Sequence, residues 1–117
     1  MDLTPPRPPR PQKAAFDLTE LAARRASTGD PWLEFFRTGT LRTGLYVLPV
    51  DGVDDQTPHA EDEVYYVLDG RAVLDIDGED HPVAPGSILY VRAQVPHRFH
   101  SIREELSVLV FFASGKG

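Results

Sequence analysis

Histidine nitrogen and glutamate oxygen are the donors left to a chain that would hold a divalent ion without thiolates, and this chain has four histidines and no cysteine. His59 and Glu63 stand four apart in the stretch PHAEDEVYYVLDG, where a polar loop turns into an apolar strand. On a straight strand they would lie about 13 Å apart, too far to share an ion. Ala60, Glu61 and Asp62 form a polar, turn-compatible connection, so a bend there would aim both side chains at one point. Taken alone the pair reads first as a loop histidine and an edge charge, and a third donor is needed to shift that balance.

His97 is the candidate for that third donor. In VPHRFHS, strand geometry puts His97, Phe99 and Ser101 on one face and Arg98 and His100 on the other. The apolar Phe99 marks the inward face, so His97 points inward and His100 outward. His81, in GEDHPV beside a turn and before a proline, reads as solvent-exposed.

The elements that must position these residues are mostly strands. Short runs of β-branched and aromatic residues separated by turn signals predict strands at Trp32 to Arg37, Leu41 to Leu48, Glu63 to Leu68, Ala72 to Ile76, Ser87 to Val91, His97 to Ser101 and Leu106 to Phe112. Gly70 and Gly78 are read as hairpin punctuation. So many short strands in so few residues predict an all-β sandwich or closed barrel. Alternation puts Glu63, Tyr65 and Val67 on one face and Val64, Tyr66 and Leu68 on the other. Both faces are apolar, as they are in SVLVFF, so the outer face also needs cover, part of it from the amino-terminal helix and the rest from a second subunit, which predicts a homodimer packed through β-faces. Ahead of the strands, FDLTELAARRASTGD predicts a short helix capped by Asp17, with Glu20 closing a capping box, Phe16 and Leu21 set as a staple, and Arg24 and Arg25 in the last turn.

Length and charge bound what such a body does. A chain of 117 residues is one domain with one core. We expect a disordered proline-rich tail over residues 1–15, where Thr4 to Pro11 holds five prolines and two arginines, and a single barrel domain with its helix over 16–117. A net charge of −6 argues against nucleic acid and anionic membranes as partners. The amino terminus has no apolar h-region, and the expected location is cytoplasmic. The acids from Asp51 to Glu63 do not follow an EF-hand spacing and read as a solvated rim. There is no phosphate loop and no G-x-S-x-G elbow.

Residues 40 to 113 resemble the cupin superfamily, in the manner of its small single-domain, RmlC-like members with a conserved type 2 barrel. The first cupin motif has two histidines one residue apart, a glutamate three or four further on, and a glycine after six more. Here His59 falls on the second histidine, Glu63 on the glutamate and Gly70 on the glycine, with Gly52 near the motif's opening glycine. The second motif has a Pro-Gly turn, a histidine and an asparagine four positions later; Pro85-Gly86, His97 and Ser101 stand at those places. The chain departs from the pattern at Thr57, where the first histidine is expected, and at Arg92 and Gln94, which replace a proline and a glycine. Gln56 adjoins the missing ligand, and its amide oxygen is a substitute donor.

The resemblance implies a double-stranded β-helix, or jelly-roll, barrel with a short amino-terminal helix. It implies a divalent metal held inside by His59, Glu63 and His97, with Gln56 as a further candidate and Tyr65, Phe99 and Thr57 at the pocket. Two imidazoles and one carboxylate with open positions favour Fe(II) and tolerate Mn(II), Ni(II) or Zn(II). A small-molecule substrate would then meet a dioxygenase, isomerase or lyase type of enzyme, although no catalytic residue is assigned and whether the chain is an enzyme at all is left open. The alternative is a non-enzymatic barrel that binds or senses a small ligand through an incomplete metal site.

Overall fold

A computed structural model describes residues 11–114. The expected tail over residues 1–15 falls mostly outside the described residues, as do the last three positions of the expected domain. Helix α1 (Leu18–Thr28) is followed by six strands: β1 (Trp32–Arg37), β2 (Leu41–Leu48), β3 (Asp62–Ile76), β4 (Glu79–Val83), β5 (Ile88–Val91) and β6 (His97–Ala113). Asp17 caps α1, its Oδ1 accepting from the Glu20 N–H at 3.1 Å. Gly29, at φ 72°, closes the other end in the left-handed conformation.

The strands run antiparallel in the order β1-β2-β6-β3-β4, and β5 pairs with the amino-terminal half of β3. The register places Arg42, Phe112 and Glu63 in one inward row and Gly44, Val110 and Tyr65 in the next. Side chains from both halves of the long strands, among them Val67 and Leu74 of β3 and Phe99 and Val108 of β6, meet in one buried cluster. The sheet therefore folds over on itself around a single core, as the expected jelly-roll barrel. Helix α1 covers part of the outside: Leu21 is buried, as is Leu45 on the outward face of β2, and the Phe16 ring lies 5.0 Å from that of Phe35.

Two pairs of expected strands are each one continuous strand. Glu63 to Leu68 and Ala72 to Ile76 join as β3, and His97 to Ser101 joins Leu106 to Phe112 as β6. Gly70 is thus a bulge and not a hairpin. At φ 97° it passes so close to β6 that a Cβ would collide with the Glu105 carbonyl oxygen, and the β3–β6 register shifts on either side of it. Ser101, at φ 53°, does the same on β6, so alternation restarts there: Ile102 is buried and Ser101 is exposed, off the face it was expected to share with His97. Asp77-Gly78 does turn a hairpin, into strand β4, which the sequence reading missed and which carries a half-exposed His81. Among the described residues no helix is long and apolar enough to cross a membrane.

Candidate metal centre

Glu63 enters the barrel because it opens the inward row of β3, and it is only 2% exposed. His97 enters as the first residue of β6. Its Nδ1–H donates to the Val95 carbonyl at 2.8 Å, which leaves the Nε2 lone pair aimed at the Glu63 carboxylate. His97 Nε2 and Glu63 Oε1 stand 2.5 Å apart. Yet neither that nitrogen nor either Glu63 oxygen has an aligned hydrogen-bond partner. Burial by itself would depress the imidazole pKa, but the Glu63 carboxylate and the Val95 carbonyl outweigh it and hold the ring above its ordinary value. Two buried acceptors pressed together require a positive charge between them, either a proton or a metal cation.

His59 completes the group. It sits in the loop before β3, and its carbonyl accepts from the Gln94 N–H at 2.8 Å, while the Asp62 carboxylate accepts from the Ala93 N–H at 2.8 Å. The segment that leads into His97 therefore pins the bend that carries His59 and Glu63. Gln94 takes a positive φ of 69° to make this contact. One donor atom from each of His59, Glu63 and His97 lies within 4.8 Å of the other two.

A cavity of about 180 Å³ opens onto the group. Its walls are the rings of Trp32, Tyr46, Tyr65 and Phe112 with Val110, and its polar lining is His59, Glu63, Gln56 and Arg42. Trp32 lies flat over Gly44, where a Cβ would run into the indole. Arg42 is bound to Glu61 at 2.6 Å and Glu34 at 2.8 Å, and its guanidinium carbon lies 4.2 Å from the centre of the Phe112 ring. Burial, more than any neighbour, raises the Tyr65 hydroxyl well above its ordinary pKa, so it remains a proton donor.

The sequence-predicted residues are not all at this cavity. Phe99 packs behind Tyr65, ring centres 5.1 Å apart, in the core. Thr57 is exposed and off the cavity wall. Gln56 is on it: its Oε1 accepts from the Tyr65 hydroxyl at 3.2 Å and faces His59 Nε2 at 3.3 Å. Sequence reasoning missed Asp54, Trp32, Tyr46, Arg42 and Phe112. The last four share the inward period of β1, β2 and β6, a usable signal once the register is known. Asp54, 4% exposed, had none to separate it from its acidic neighbours.

A family model described as a cupin domain matches residues 44–113. An uncharacterised protein of Streptomyces coelicolor is 48% identical over 99 residues, covering 85% of this chain and 94% of its own. Among solved structures, TT1209 from Thermus thermophilus superposes with a TM-score of 0.68 at 26% identity, over 85% of this chain and 95% of that one. The DMSP lyase DddQ from Ruegeria pomeroyi superposes with a TM-score of 0.65 at 18% identity, over 77% of this chain and 50% of that one, a likeness of fold.

Proposed function

The chain belongs to the cupin family, and from that premise we propose that it binds one divalent metal ion through His59, Glu63 and His97 and acts on a small molecule in the adjoining cavity. The observation that carries this is the buried trio of unpartnered acceptor atoms, Glu63 Oε1 and Oε2 and His97 Nε2, for which a cation is the fitting occupant. Two imidazoles and a carboxylate with open positions suit Fe(II) first, then Mn(II), Ni(II) or Zn(II). Bound there, the metal would supply Lewis-acid or dioxygen-dependent chemistry to a chelating substrate. The chain's own part is to hold and shield: aromatic walls exclude water, Tyr65 keeps a proton at the edge of the site, and the Arg42 ion pairs brace the mouth.

A dioxygenase, isomerase or lyase reaction is compatible with this arrangement, and the lyase DddQ shares the fold. The acidic charge disfavours nucleic acid as a partner. We also propose that the protein works as a homodimer, since the outward rows of β3, β5 and β6 are apolar where α1 does not reach.

Elemental analysis of untagged protein purified without chelator tests the metal reading. Iron or manganese near one per chain is the expected result, followed by oxygen uptake after anaerobic Fe(II) reconstitution with a small-molecule panel. Protein that neither carries nor takes up metal would overturn it and leave a ligand-binding barrel.

A further inference from the structure

Asp54 is a buried carboxylate beside two exposed ones, Asp51 and Asp55, and it is not among the three metal donors. Its Oδ1 accepts from the Tyr46 hydroxyl at 2.7 Å, and its Oδ2 accepts from the Phe99 N–H at 2.8 Å and the Gln56 Nε2 at 2.7 Å. An ionised carboxylate only accepts, so it dictates which end of the Gln56 amide faces it. The NH2 must turn to Asp54 and the oxygen must turn to the cavity. There the oxygen takes the Tyr65 hydroxyl and stands 3.3 Å from His59 Nε2. Two donors at right angles, each about 2.1 Å from one ion, stand about 3 Å apart, close to that separation.

We infer that Asp54 is a positioning residue that turns the Gln56 amide oxygen toward the metal as its fourth donor. The inference rests on the metal-binding reading above. It accounts for Thr57: a neighbouring side chain, oriented by a carboxylate, stands in for the imidazole that position 57 lacks. Asp54 also spans the cavity wall at Tyr46 and the β6 backbone two residues past His97, so one carboxylate ties the substitute ligand to the strand carrying an original one.

Titration of metal-free protein with Co(II), read by calorimetry and by visible absorption, tests this. Gln56→Ala should bind roughly 10–100-fold more weakly, with an altered absorption spectrum. Asp54→Ala should reproduce both changes, and the double variant should lose no more than Gln56→Ala alone. Asp54→Asn should restore affinity and spectrum, because an amide oxygen can still accept from Gln56 and Phe99 while its NH2 turns to the Tyr46 oxygen. Additive losses in the double variant would overturn the inference, as would unchanged binding by Gln56→Ala. Asp54→Ala strips the Phe99 N–H of its acceptor and can fail to fold, so Gln56→Glu supplies an arm that leaves Asp54 in place. Its second oxygen would meet the Asp54 carboxylate, and Co(II) should bind more weakly than in the wild type despite the added charge; tighter binding contradicts the proposed orientation. Wild-type protein that does not bind Co(II) overturns the metal reading and this inference with it, whereas binding that is indifferent to Gln56 overturns this inference alone.

Discussion

The two histidines of VPHRFHS lie three apart and have opposite fates. His97 is buried against Glu63, whereas His100 bonds outward to Asp80 at 2.9 Å and to Ser101 at 3.0 Å. His97→Ala should lower metal affinity by about 100-fold or more while the protein stays folded, and His100→Ala should leave it unchanged, both read by calorimetry on metal-free protein. Equal affinity in the two variants would remove His97 from the site. That His59, Glu63 and His97 come together was legible from donor type, the polar bend before β3 and the inward face of His97. Asp54 was not, because Asp51, Asp54 and Asp55 look alike until the fold buries one of them.

Glycine governs the elements at two places. Gly70→Ala forces a side chain into a positive φ and against the Glu105 carbonyl, and should cost on the order of 1–3 kcal/mol in urea unfolding, or more if β6 cannot yield. Gly44→Val drives a side chain into the Trp32 ring; we expect a loss of about 1–3 kcal/mol together with a reshaped cavity. A Gly44→Val protein as stable as the wild type would show that the indole is not confined there. Strands β1 and β2 matched their predicted limits because Asp30-Pro31 and the Thr38-to-Thr40 turn bound them locally. The long strands did not, for a physical reason. A glycine at positive φ serves a turn and a bulge equally well, and only the partner strand, far away in sequence, decides between them.

At the scale of the whole molecule, charge and shape carry the expectations. Arg37 and Arg42 hold the Glu34 carboxyl below its ordinary pKa, and Arg42 does the same for Glu61. Carboxylates with a depressed folded pKa lend stability that is present above their unfolded value of about 4.5 and is lost as pH falls through the folded value. Urea midpoints should therefore drop as pH falls below about 4.5, and drop less in Arg42→Gln; an identical acid response in both would discount the Arg42 pairs. On the outside, Val64, Tyr66, Leu109, Phe111, Ile88 and Tyr90 form adjoining apolar rows, with Ile88 69% and Tyr90 57% exposed. Light scattering should give a dimer that Phe111→Glu converts to a monomer, and a monomeric wild type would end the homodimer proposal. Strands apolar on both faces made partial cover by the amino-terminal helix legible, while the strands it covers were not, because helix placement depends on tertiary packing in which Leu21 of α1 and Leu45 of β2 both become buried. The indole resting on Gly44 is that of Trp32, the chain's single tryptophan, and it lines the same cavity as His59 and Glu63. The protein thus carries its own optical reporter, whose fluorescence is free of any competing indole and should be quenched when a paramagnetic ion or an aromatic guest enters.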